Sequence, residues 1–155
     1  NGCRSFARRL VDRGTGGHIV NVASMAAYSP SQSMNAYSTS KAAVFMFSDC
    51  LRAELSSAGI GLTTICPGVI DTNIIDTTHF DVPADQQEQV EQWRAQAKKA
   101  FTARRYGPDK VAKAIVTAVE KNTAIRPVTP EAYAAYGVSR LVPSVLRRAA
   151  RAGSR

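Results

Sequence analysis

Apolar positions change period several times along this chain, and each change marks a boundary between elements. Phe6 and Leu10 recur at i, i+4, which predicts a helix over 4–13, stopped by the Gly14-Thr15-Gly16-Gly17 stretch. Residues 18–24 carry Ile19, Val20 and Val22 in a short β-branched run, which predicts a strand buried on both faces. A loop broken by Pro30 follows. Over 36–58 the helical period returns, with Val44, Phe47, Leu51 and Leu55 on one side and Phe45, Met46 and Cys50 on a second. A helix apolar on two sides packs against two things, here its own sheet and another subunit. Gly59 and Gly61 end it, and 62–66 reads as a second strand closed by Pro67-Gly68.

Downstream, 69–83 reads as irregular and 84–104 as a charged helix carrying Trp93. Residues 108–122 form an amphipathic helix with Val111, Ile115 and Val119 on one face and Asn122 as its C-terminal cap. A third strand is expected over 124–128, then a helical tail interrupted near Gly137 and Pro143. Strand, helix, strand, helix, strand in this order implies right-handed βαβ units and a parallel sheet. The 155 residues suffice for one domain with a core, and no repeat or low-complexity linker divides them. The chain opens at Asn1 as if already inside a domain, so a truncated chain is expected.

Candidate chemistry enters through Tyr-x-x-x-Lys, which occurs twice: Tyr37 with Lys41, and Tyr106 with Lys110. Residues four apart on a helix share a face, and an ammonium beside a phenol favours the phenolate that general acid–base work needs. The local sequence permits a helix through Tyr37 and Lys41. Pro108 separates the other pair, so Tyr106 precedes its helix and the two side chains need not align. Thirteen residues before Tyr37 lies Ser24, at the C-terminal end of the first strand, where ligands sit in open parallel sheets. Thirteen before Tyr106 lies Trp93, which offers no comparable group. Met25, Tyr28 and Met34 either line a pocket or fill the loop.

Ser24, Tyr37 and Lys41, with "GGHIVNVAS" before and "ICPGVIDT" after, resemble the short-chain dehydrogenase/reductase family from the first helix to about residue 128. The resemblance implies an α/β fold with a Rossmann-type doubly wound parallel sheet, here incomplete because the N-terminal βαβ half is absent. It implies one partial domain over 1–155: a catalytic core at 1–72, a mobile substrate-binding region at 73–105, and C-terminal helices with the last strand at 106–155. Tyr37 would be the general acid or base, Lys41 would support it and grip the nicotinamide ribose, and Ser24 would orient the substrate oxygen. Pro67, Gly68, Val69, Ile70 and Thr72 would face the nicotinamide of NAD or NADP, and Asn21 would be structural. An isolated chain of this kind is expected to be inactive, with an apolar edge at the first strand. "CLRAELSSAGIGLTTICPGVIDTNI" and "IRPVTPEAYAAYGVSR" resemble the reductase part of bacterial proteins that fuse an epoxide-hydrolase-like domain to a short-chain dehydrogenase, which implies a lipid-derived carbonyl or alcohol as the small-molecule substrate. A homodimer or homotetramer is implied as well.

Composition narrows the alternatives. Serine hydrolysis is disfavoured, since Ser24 lacks the flanking glycines of a nucleophile elbow and only His79 follows it. The net charge is +8, and Arg140, Arg147, Arg148, Arg151 and Arg155 fall in the last stretch, with no acidic residue after Glu131. A solvated basic tail is the favoured reading; the alternative is a basic interaction module that binds anionic lipid or nucleic acid without catalysis. No aromatic-interleaved basic motif or finger spacing supports nucleic acid. Three widely spaced cysteines and two histidines argue for reduced thiols in a cytoplasmic setting and against a metal site. Neither a leader nor an apolar run of transmembrane length is expected.

Overall fold

β2 (Ile60–Cys66) forms the middle of the fold, and six of its seven residues are buried. The computed structural model describes residues 1–32, 34–79, 81–103 and 106–152. Among them a three-stranded parallel sheet runs β1 (Gly17–Val22), β2, β3 (Ile125–Pro127) in that spatial order. Side chains alternate across a strand, so β2 feeds two cores. Ile65 packs with Val20, Ala114, Ala118 and Val128 beneath α5 (Pro108–Glu120). On the other face Ile60 packs with Ala7 of α1 (Gly2–Arg13) and Leu55 of α2 (Asn35–Leu55), and Cys66 with Phe45 of α2. Helices therefore cover both faces of a parallel sheet, the architecture of a partial Rossmann-type domain.

The strand expected to be buried on both faces is β2, not the 18–24 segment. Among the described residues β1 pairs only with β2, ends at Val22 rather than residue 24, and stays half-buried or exposed along its length. A strand at a sheet edge has one neighbour, so composition alone does not bury it. The two sides of α2 also differ from the spacing argument. Phe45 and Leu55 are buried, with Val44 and Leu51 half-buried beside them. Phe47 instead joins Met46 on the outward face, 50% and 59% exposed. Inward of the helix, Asn21 donates to Ser48 Oγ at 2.9 Å and accepts from the Cys3 thiol at 3.2 Å, tying β1 to both α2 and α1.

Gly59 stops α2 and its trailing 3₁₀ turn in the left-handed region at φ 66°, a conformation that glycine adopts without a Cβ clash. Asn122 does the same after α5 at φ 48°, one residue beyond the cap, as suits asparagine. Within the segment expected to be irregular a short α3 forms (Ile74–Thr77). A 3₁₀ turn at Ala84–Gln86 leads into α4 (Gln87–Ala103), and residue 104 of the expected helix lies outside the described residues. Arg94 fastens α4 to α3 by donating to the Ile75 and Thr78 carbonyls at 2.7 and 2.6 Å, and Lys98 pairs with Asp76 at 2.8 Å. α6 (Pro130–Leu141) passes through Gly137 without a break, and the single non-helical residue Val142, just before Pro143, separates it from α7 (Pro143–Ala152). A single glycine costs a helix about 1 kcal/mol against alanine and need not interrupt it.

Polar contacts staple the N-terminal edge of the sheet. Arg52 of α2 donates to the Leu62 carbonyl, and at 2.9 Å to both the side-chain and main-chain oxygens of Asn122. Thr63 Oγ1 donates to the Thr123 carbonyl at 2.6 Å and so accepts from His18 Nε2 at 2.8 Å. Burial, and then the Arg52 guanidinium, hold the His18 ring below its usual value of 6.5, so the fold favours the neutral ring. As pH falls through that value the unfolded chain takes up a proton before the folded one does, and stability drops. The melting midpoint should therefore be lower near about pH 5 than near about pH 7.5, and His18→Gln should flatten that difference.

Candidate active site

At the opposite, C-terminal edge of the sheet, α2 begins at Asn35 and carries Tyr37 in its first turn. The helix brings Lys41 to the same side, with Nζ 5.7 Å from the centre of the Tyr37 ring. The same ammonium donates to the Val22 carbonyl at 3.2 Å, so it is held between the helix and the end of β1. Two residues beyond Val22, Ser24 leaves the strand and caps a single 3₁₀ turn, Met25–Ala27, accepting from the Ala26 amide at 3.1 Å. A hydroxyl that accepts there keeps its own proton for donation elsewhere. Tyr37 is 44% exposed and Ser24 and Lys41 are half-buried, so the surroundings are open to solvent on one side.

Main-chain bonds knit this end of β1 to the loop after β2. The Ala23 amide donates to the Ile65 carbonyl and the Met25 amide to the Pro67 carbonyl, each at 2.8 Å. Pro67, Gly68, Val69 and Ile70 are half-buried. Thr72 Oγ1 accepts from the Ile74 amide at 3.4 Å and starts the short α3 turn. The space a Cβ on Gly68 would need belongs to the start of α6: it would lie 2.2 Å from Thr129 Oγ1 and 2.7 Å from Glu131 Oε1. Glycine at 68 is thus required by packing against α6.

The second Tyr-x-x-x-Lys behaves differently from expectation. Pro108 does place Tyr106 ahead of α5, yet Lys110 Nζ sits 4.9 Å from the Tyr106 ring centre, nearer than in the first pair. Pro108 occupies the first turn, where it does not distort the helix, so the chain still lets the two side chains meet. What separates the pairs is the phenol oxygen: Tyr106 donates its hydroxyl to the Val128 carbonyl beneath the sheet. Tyr28 is similarly committed, donating to the Ala132 carbonyl at 3.0 Å with its ring edge-on to Phe45 and Tyr136. Burial pushes its phenol well above the usual range, which keeps it a neutral donor. Tyr28 both braces the loop and lines a cleft, whereas Met34 stays exposed.

A cleft of about 440 Å³ lies elsewhere, lined by Tyr28, Pro30, Ser38, Thr39, Ala42 and Leu146 among others. Ser24, Tyr37 and Lys41 do not line it. Positions 35, 38, 39 and 42 make a helix stripe nearly opposite 37 and 41. Of the basic tail, Arg140 packs over the Tyr136 and Phe45 rings at 5.3 and 5.9 Å, which makes it part of the structure, and Arg155 lies outside the described residues. No described helix is long and apolar enough to cross a membrane.

Glu131 escaped the sequence reading. Its position after Pro130 is an ordinary acidic first-turn position, which local pattern explains fully without a contact to the 67–72 loop.

Comparison with known proteins agrees with this architecture. The family model described as short chain dehydrogenase matches residues 1–82. "Probable oxidoreductase EphD" of Mycobacterium tuberculosis is 66% identical over 151 residues, which cover 97% of this chain and 26% of that protein. "Estradiol 17-beta-dehydrogenase 2" of Rattus norvegicus is 48% identical over 59 residues, 38% of this chain and 16% of that protein. A short chain dehydrogenase/reductase from Burkholderia phymatum, solved in complex with NAD, superposes with a TM-score of 0.71 at 25% identity over 90% of this chain and 51% of its own. This chain thus spans about a quarter of the length of the mycobacterial relative and half of the solved one. The match gives no support to a non-catalytic basic module. With a family model covering more than half of its residues and a relative two-thirds identical along nearly all of it, the chain belongs to the short chain dehydrogenase family.

Proposed function

We propose that this chain is the catalytic part of an NAD- or NADP-dependent oxidoreductase that interconverts a carbonyl and an alcohol. One observation carries the reading: Lys41 is held by the Val22 carbonyl with its ammonium beside the Tyr37 ring, at the sheet edge where open α/β folds bind ligands. Tyr37 gives a proton to the substrate oxygen in reduction and takes it in oxidation. The Lys41 ammonium and the positive end of α2 both adjoin it and favour negative charge on the phenol oxygen as that proton leaves. Ser24, whose oxygen already accepts from Ala26, directs its proton at the substrate oxygen.

The donor set suits a nicotinamide nucleotide. An ammonium has three N–H groups, and Lys41 commits one to Val22, leaving others for a ribose. The Ile70 amide and the Thr72 hydroxyl would address the carboxamide and a nearby phosphate. The bound nicotinamide would supply or accept the hydride. Contacts to the remaining phosphates are assigned to residues outside this chain, so the activity belongs to the complete natural protein. There we place the reaction in the cytoplasm, where Cys3, Cys50 and Cys66 stay reduced, and the contact between copies on Met46 and Phe47 of α2 with Phe6 of α1.

The test uses the complete natural protein with NADH or NADPH and a panel of ketones and aldehydes, lipid-derived ones included, and the oxidised nucleotides with the matching alcohols. A nicotinamide absorbance change is expected with one nucleotide preferred. Lys41→Met should lower turnover by about 10²-fold or more and weaken nucleotide binding as well. A folded wild-type protein that binds neither nucleotide would overturn the proposal.

A further inference from the structure

The start of α6 is built as a seat for the loop after β2. The Val69 amide donates to Glu131 Oε1 at 3.1 Å, across 62 residues of chain. One residue earlier, Gly68 lies so close that a Cβ there would meet both Thr129 Oγ1 and Glu131 Oε1. The seat is itself rigid. Thr129 is 1% exposed and caps α6 by accepting from the Ala132 amide at 3.3 Å, Pro130 fixes the next turn, and the Val128 amide donates to the Cys66 carbonyl at 3.2 Å. A carboxylate accepting from a backbone amide makes a charge-assisted bond, stronger than a neutral one. An acidic residue in a first turn ordinarily serves its own helix dipole. This one extends to another loop, and that loop leads directly into Ile70 and Thr72.

We propose that Glu131 is a positioning residue: it fixes the Gly68–Val69 peptide and thereby sets Ile70 and Thr72 for the nicotinamide. The inference rests on the reading of 67–72 as the cofactor-facing loop. In the complete natural protein, Glu131→Ala should raise the KM for the nicotinamide nucleotide by about tenfold to hundredfold, the range for losing a hydrogen bond to a charged group. The KM of the carbonyl substrate at saturating nucleotide should stay within about twofold, because that contact is not touched. Glu131→Gln keeps a neutral oxygen acceptor at the same reach and should restore part of the loss. If Glu131→Ala does not fold, Glu131→Asp, one methylene short of the Val69 amide, should show the same split. A nucleotide KM unchanged in both Ala and Asp variants, a parallel rise in both KM values, or no rescue by Gln would overturn the positioning role. Nucleotide binding followed by nicotinamide fluorescence separates the two readings. Wild-type protein that binds no nucleotide overturns both, whereas wild type and Glu131→Ala binding equally well overturns only the role of Glu131.

Discussion

Tyr37→Phe, which removes a single oxygen, should lower nicotinamide-dependent turnover in the complete natural protein by about 10²- to 10⁴-fold while nucleotide binding survives. The ring stays, so the contact with Lys41 at the start of α2 stays, and what disappears is the group proposed to move the proton. Tyr106→Phe is the matched control. Lys110 lies closer to the Tyr106 ring than Lys41 does to that of Tyr37, so nearness of an ammonium does not by itself mark an active site. The Tyr106 hydroxyl is spent on the Val128 carbonyl. Its removal should therefore leave turnover near wild type and cost about 0.5–1.5 kcal/mol of stability. Steady-state rates and melting curves of the two variants check both halves. Activity that survives in Tyr37→Phe and vanishes in Tyr106→Phe would reverse the assignment.

Ile65→Ala should be the most damaging of the core truncations, costing about 2–5 kcal/mol where a domain's whole stability is about 5–15 kcal/mol. Ile65 is fully buried in the central strand and touches the core on the α5 side, among Ala114, Ala118 and Val128. Its neighbours come from α5, from Val20 of β1 and from the stretch just after β3, which cannot all move in to fill the void. Val116→Ala on the exposed side of α5 should change stability by no more than about 0.5 kcal/mol. Denaturant midpoints of the two variants, measured side by side, check the contrast; equal midpoints would mean that the sheet is not the organising core.

The element order was legible because local period survives folding: α1, α2, α5 and α6 and all three strands lie within a few residues of where spacing places them. So were Tyr37 and Lys41 as neighbours, since helical geometry brings residues four apart together in any context. Less legible was which apolar residue of a pair is buried. Phe45 and Phe47 have the same composition two positions apart, and only the location of β2 decides that the first goes inward. Tyr106 shows the same limit at the site, because the carbonyl that occupies its hydroxyl is 22 residues away.

Taken alone, the chain determined a parallel α/β sheet with helices in sequence between its strands, and a phenol and an amine at a spacing that a helix converts into proximity. Tertiary structure decided that β2 is the doubly buried strand, and that Met46 and Phe47 face outward. It alone also joined Glu131 to the loop after β2. Spacing records what a residue does within its own element, whereas burial and long-range hydrogen bonds depend on which elements come to lie against one another, and that leaves no period in the chain.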